Sequence, residues 1–88
     1  MATMEVSVVS AEALLYEGAA TEVYARSTEG EIGILPGHQP ALLALADASV
    51  RVKTTDRGEV TVRVRSGFLE FRDNHLTVLA DEAELSEA

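Results

Sequence analysis

Strict alternation of apolar and polar residues over two neighbouring stretches constrains this chain more than any other feature. Val50, Val52 and Thr54 alternate with Arg51, Lys53 and Thr55, and Val60, Val62 and Val64 alternate with Thr61, Arg63 and Arg65. Period two is the spacing of a strand with one buried face. Asp56-Arg57-Gly58-Glu59 lies between them and supplies a turn with glycine late in it. The pattern predicts a β-hairpin. After Ser66-Gly67 the apolar phase slips by one residue, to Leu69 and Phe71 opposite Glu70 and Arg72. A one-residue slip at glycine marks a bulge, or a corner where the strand bends or changes sheet.

The same period recurs elsewhere. Met4, Val6 and Val8 alternate with Glu5 and Ser7; Leu76, Val78 and Ala80 alternate with His75 and Thr77, after a tight turn at Asp73-Asn74. The pattern is blurred over Thr21–Arg26, where Val23 and Ala25 oppose Glu22, Tyr24 and Arg26. Ala41–Ala46 is almost wholly apolar, which fits a strand buried on both faces or a short helix. The expectation is eight to ten short strands in an antiparallel sandwich or flattened barrel. Residues 1–80 form this domain. Residues 81–88 hold four acids among good helix formers, and Asp81 could cap a helix. An isolated helix needs about 12–15 residues even for marginal stability, so this tail reads as a first turn or a frayed end.

Composition narrows the function. The chain has 88 residues, which is one small domain. A domain this size buries only about 60–65% of its unfolded surface, so a partner surface would help it. Without cysteine it has no disulfide, thiolate-zinc site or cysteine nucleophile. A net charge of −8 repels a phosphate backbone, and four Phe and Tyr residues without Trp are too few for a base-stacking platform. No apolar run approaches the ~20 residues of a membrane span. The N-terminal residues do not read as a signal peptide.

Catalytic patterns are missing from the sequence. His38 and His75 are far apart and in no metal-ligand spacing, the serines lack a nucleophile elbow, and Gly30-Glu31-Ile32-Gly33 has no following Lys. No metal or cofactor is expected. Six of the seven bases lie between Arg51 and Arg72. Arg51 and Lys53 share a strand face, as do Arg63 and Arg65, so a hairpin would gather them into a basic patch. Such a patch is either a solvated, edge-protecting surface or a dock for an acidic partner. Glu29–Pro40 is the most constrained segment, with three glycines and two prolines in twelve residues. Gly30 suits a positive-φ turn between acids, Pro36-Gly37 a type II turn, and Gln39 is pushed to extended geometry by Pro40.

This segment also carries a resemblance. Val8-Val9-Ser10-Ala11-Glu12, Gly30-Glu31-Ile32-Gly33-Ile34-Leu35-Pro36-Gly37-His38-Gln39-Pro40, Ser66-Gly67-Phe68-Leu69-Glu70 and Leu76-Thr77-Val78-Leu79-Ala80-Asp81 occur in that order. Together they closely resemble the N-terminal domain of the epsilon subunit of bacterial and chloroplast rotary ATP synthase, over residues 4–82.

The resemblance implies an all-β, flattened sandwich of two five-stranded sheets. It implies a non-catalytic rotor subunit that clamps the gamma subunit to the c-ring and carries torque from proton flow. The complex would sit on the cytoplasmic side of the bacterial plasma membrane, with this subunit peripheral. The excess of Arg over Lys fits a GC-rich bacterial genome better than a plastid. Carried over by position, Ser27, Glu29, Gly30, Glu31 and Gly33 face the c-ring. Ser10, His38, Gln39, Pro40 and Leu43 lie toward gamma, with apolar contact from Ala41-Leu42-Leu43 where these do not point into the core. The family's C-terminal helical hairpin, which restrains hydrolysis and in some members binds ATP, does not fit within the sequence, so those roles do not transfer. The alternatives are a free-standing binding module using the basic face and, least supported, a small hydrolase built on His38.

Overall fold

The computed structural model describes residues 2–86. Every regular element is a strand: β1 (Met4–Ser10), β2 (Leu14–Ser27), β3 (Gly30–Ile34), β4 (Ala41–Leu45), β5 (Ala48–Thr54), β6 (Glu59–Arg72) and β7 (His75–Ser86). Three of them are long. β2 and β6 have 14 residues each and β7 has 12, so seven strands do the work of the eight to ten short ones expected.

Each long strand bends and serves two layers. In the first layer β3 pairs with the end of β2, then β5, the start of β6 and the end of β7 follow in order. In the second, the start of β2 pairs with β1, followed by the start of β7, the end of β6 and β4. The pairings therefore form two layers of five segments joined by continuous hydrogen bonding. β1 and β7 run parallel and every other pair is antiparallel. The inner faces supply one core. Val23, Ile34, Val50, Val52 and Val62 come from the first layer; Met4, Val6, Val8, Leu69, Phe71, Leu76 and Val78 come from the second.

The predicted hairpin forms between β5 and β6, with Val50 opposite Val62 and Val52 opposite Val60. Its turn closes through the Thr54 amide, which donates to the Gly58 carbonyl at 2.9 Å, and Gly58 takes a φ of 69°. The predicted corner is at Ser66, with a φ of 55°. Before it Val62 and Val64 point inward, and after it Leu69 and Phe71 do. β7 turns the same corner, because Arg65 pairs with Glu82 and Gly67 with Ala80 on either side of the bend. Gly67 is needed there, since a Cβ would stand 2.8 Å from the Leu79 carbonyl oxygen. Asp47 Oδ1 accepts the Ser66 amide at 3.1 Å, which satisfies the group that the bend takes out of the ladder. The Asp73-Asn74 turn is also as predicted, with φ of 52° and 59° linking Arg72 to its partner His75.

Two expectations are corrected. The acidic tail is no helix over the described residues. β7 crosses position 80 without a break and runs to Ser86, so Asp81 caps nothing helical. The open ladder edge of β6 captures this segment. Val62 lies opposite Leu85, Val64 opposite Ala83, and Arg63 and Arg65 opposite Glu84 and Glu82. Five more ladder residues, two of them acids opposite arginines, outweigh the propensity of a helix too short to stand alone. The tail expectation for Glu87 and Ala88 lies outside the described residues. Second, Ala41–Leu45 is a strand, but it is buried on one face only: Leu43 and Leu45 face the core while Leu42 and Ala44 are exposed.

Candidate functional site

The outer faces of the two layers differ in kind. On the first, charges alternate across strands. Lys53 Nζ lies 3.9 Å from Glu22, Arg26 lies 3.9 Å from Glu31, and Arg65 lies 3.6 Å from Glu82. Arg63 stands opposite Glu84. Arg51 and Lys53 also flank the Tyr24 ring, at 5.3 and 5.7 Å from its centroid. The Tyr24 hydroxyl donates to Glu22 Oε1. That hydrogen bond, followed by partial burial, raises the phenol above its usual value. The basic patch predicted from Arg51, Lys53, Arg63 and Arg65 is thus interleaved with acids, which offset most of its charge. Register is the reason: β2 and β7 bring Glu22, Glu82 and Glu84 onto the same face.

The second layer's outer face carries an apolar row that crosses all five segments. Ala44 pairs with Phe68, Phe68 with Leu79, Leu79 with Val9, and Val9 with Leu14. Phe68 is 56% exposed, Leu79 55% and Leu14 55%. Leu42, beside the row on β4, is 71% exposed. One exposed leucine on a small protein is ordinary, but an aligned run of large apolar side chains marks a contact surface. Beside the middle of the row an open groove of about 270 Å³ is lined by Val9, Ser10, Phe68, Leu79 and Asp81, among others.

Ser27, Glu29, Gly30, Glu31 and Gly33 fall together on the β2–β3 hairpin. The buried Ser27 hydroxyl donates to the Gly30 carbonyl at 2.9 Å and accepts from the Glu29 amide at 3.1 Å. Gly30 has a φ of 125°, which only glycine adopts readily. Together they hold Glu29 at a fixed tip. Gly33 has an internal role, because a Cβ there would come within 2.9 Å of the Tyr24 ring that lies across it. The tip is bound to β4: the Thr28 amide donates to the Ala44 carbonyl at 3.0 Å and the Ala46 amide to the Arg26 carbonyl at 2.9 Å.

The residues expected on the gamma side separate into two groups. Ser10 is at one end of β1, aligned with Ala80; its hydroxyl accepts the Glu12 and Ala13 amides at 3.2 and 3.1 Å and shapes the turn into β2. His38, Gln39 and Pro40 precede β4, whose first residue Ala41 aligns with Phe71, which in turn faces Leu76 and so Val6. Four residues of β1 separate the groups, about 13 Å of strand. Leu43 is half-buried and packed on the core, so Leu42 is the outward leucine of β4. Pro36-Gly37 forms the predicted type II turn: the His38 amide donates to the Leu35 carbonyl at 3.0 Å, with Gly37 at a φ of 86°. The His38 ring stands edge-on to Phe71 at 5.9 Å. Alternation puts Phe68 and Leu79 in strands and leaves Leu42 in a strand or a short helix, and nothing in the sequence aligns the three into a row.

Among the described residues no cluster of His, Asp and Glu is placed to hold a metal ion, and no helix is long and apolar enough to cross a membrane. Two stacked layers, one with ion pairs across its outer face and one with an apolar row on its outer face, together with an acidic tip braced on β4, define a β-sandwich domain.

The comparisons say which one. The family model described as the β-sandwich domain of the ATP synthase delta/epsilon chain matches residues 3–86, and the chain belongs to that family. It is 45% identical over 86 residues to the ATP synthase epsilon chain of Streptomyces coelicolor, spanning 98% of this chain and 69% of that one. It is 44% identical over 88 residues to the epsilon chain of Micrococcus luteus, spanning 97% of that protein. Among solved structures, a chain of the Euglena gracilis mitochondrial ATP synthase (OSCP/F1/c-ring, rotational state 1) superposes with a TM-score of 0.87 at 21% identity, over 97% of this chain and 54% of that one. A chain of the Tetrahymena thermophila mitochondrial ATP synthase central stalk and c-ring gives 0.76 at 16% identity, over 92% and 65%. The structural likenesses establish the fold; the family rests on the sequence matches.

Proposed function

We propose that this chain is a non-catalytic rotor subunit of a proton-translocating ATP synthase, clamping the gamma subunit to the c-ring and coupling rotation to ATP synthesis. It lies peripherally, on the cytoplasmic side of the bacterial plasma membrane, through its place in the complex. The apolar row from Ala44 to Leu14 grips gamma, and the Ser27–Gly33 tip meets the polar loops of the c-ring.

The observation that carries this reading is the apolar row. Exposed ion pairs contribute only about 0–1 kcal/mol each and weaken with salt. Apolar area contributes about 25 cal/mol per Å² removed from water, so aligned large side chains can hold a partner under load. The Thr28–Ala44 bond joins the tip to β4 within one hydrogen-bonded network, so shear at the tip reaches the row without a hinge. The interleaved face is suited to solvent, and the acids on it offset most of the basic surface that a free-standing module would use.

Co-purification with gamma tests the proposal. A stable complex at micromolar concentration is expected, with no ATP hydrolysis by the isolated chain. Absence of a complex, or hydrolysis that copurifies with the chain, contradicts it.

A further inference from the structure

Asn74 ties three parts of the molecule together. Its side-chain Oδ1 accepts the Gly37 amide at 3.1 Å, its Nδ2 donates to the Thr3 carbonyl at 2.8 Å, and its own carbonyl accepts the Glu5 amide at 3.2 Å. It does so from a left-handed backbone, with a φ of 59°, in the β6–β7 turn. The side chain thus reaches from that turn to the N-terminal segment on one side and the Pro36-Gly37 turn on the other. A glycine in this turn would serve the backbone equally well. The amide side chain is what hydrogen-bonds the Gly37 loop to the β6–β7 turn.

That loop presents His38. The ring's Nδ1 lies 2.6 Å from the Gln39 carbonyl oxygen, which can only accept, so Nδ1 carries the proton. The neutral ring then has Nε2 as its acceptor. The edge-on packing against Phe71 fixes the plane of the ring. Loop and ring are both braced from within, which is how a contact residue is prepared before its partner arrives.

We propose that Asn74 is a positioning residue for the His38–Pro40 contact, holding the loop so that His38 offers its Nε2 lone pair to a hydrogen-bond donor on the partner. This rests on the gamma-binding reading above. A loop that visits its binding shape only part of the time binds more weakly by that fraction, and the loss falls mainly on the association rate.

The test uses Asn74→Gly, which keeps the left-handed backbone and removes only the bridging amide. In the free protein, hydrogen exchange of the Gly37 amide should accelerate and the His38 ring resonances should shift toward those of an unconstrained histidine. Binding to gamma should weaken about tenfold, mostly in association rate. Adding His38→Ala to Asn74→Gly should cost much less than His38→Ala alone, because the two act through one contact. Asn74→Asp, which keeps the acceptor for Gly37, should restore part of the affinity. Unchanged Gly37 exchange, or costs that simply add, would overturn the positioning role. If the wild-type chain fails to bind gamma while Asn74→Gly still frees the loop, the gamma reading falls and the internal brace stands.

Discussion

The Thr28 amide donates to the Ala44 carbonyl at 3.0 Å, linking the acidic tip to the first residue of the apolar row. The two surfaces that the proposed function assigns to different partners are therefore one hydrogen bond apart. The link is backbone to backbone, so side-chain substitution on either surface should leave the other intact. This makes the surfaces separable by mutation.

Phe68→Ser with Leu79→Ser should weaken gamma binding by about 30-fold or more, since truncation of central apolar anchors costs about 2 kcal/mol or more. Both side chains are more than half exposed, so thermal stability should change little. Binding and melting measured on the same preparations decide it. An unchanged affinity would mean that the row is not the grip.

Glu29→Lys should weaken c-ring docking more than Glu31→Lys. Glu31 is already engaged by Arg26 at 3.9 Å, whereas Glu29 is held at the tip by its own amide on Ser27. The expected loss at Glu29 is about fivefold, close to 1 kcal/mol, and rising ionic strength should imitate it. Docking to c-ring vesicles across a salt series checks both. Gamma binding should not respond to either substitution.

The two close-packed glycines should differ. Gly67→Ala forces a Cβ to within 2.8 Å of a backbone carbonyl at the corner and should cost about 1–3 kcal/mol. Gly33→Ala meets the Tyr24 ring at 2.9 Å, a side chain on an outer face that can move, and should cost less than about 1 kcal/mol. Denaturant midpoints at constant m-value measure each loss. Equal losses would contradict the different roles assigned to them.

Tyr16 gives a pH dependence. Burial raises its phenol above 10.0, against a smaller opposing pull from Arg57, whose guanidinium lies 5.1 Å from the ring centroid. The folded state therefore holds the proton more tightly than the unfolded chain. The associated stability is complete below the ordinary tyrosine pKa and is lost as pH rises through the raised one. Unfolding curves between neutral and strongly alkaline pH should show that decline, and Tyr16→Phe should reduce it, leaving the part that the raised Tyr24 phenol contributes. A decline of equal size in Tyr16→Phe would place its cause elsewhere.

Much of the fold was legible because period-two patterning is a direct image of which face is buried. Val62 and Val64 before the slip, and Leu69 and Phe71 after it, located both the hairpin and the corner at Ser66. The start of β2 was less legible. Its register with β1 shifts between Val8 and Val9, and a second irregularity against β5 lies between Ala20 and Glu22, so the alternation is scrambled twice in ten residues. The tail is less legible still, because its composition favours a helix while the partner strand that captures it lies about twenty residues earlier. The site divides along the same line. Turn-forming residues such as Ser27, Gly30, Pro36 and Gly37 betray a built loop locally. The alignment of Ala44, Phe68, Leu79, Val9 and Leu14 depends on four registers at once, and no local signal encodes that. The same dependence sets the basic patch against Glu22, Glu82 and Glu84, which no local signal reveals.

Amide chemical-shift mapping of the labelled chain, titrated with purified gamma subunit, tests the central claim most directly. The account predicts that the largest changes fall on Val9, Ala44, Phe68 and Leu79, with a second group at His38 and Gln39. Arg51, Lys53 and Arg63 on the opposite face should stay in place. Changes centred on that charged face, or no changes at saturating gamma, would contradict it.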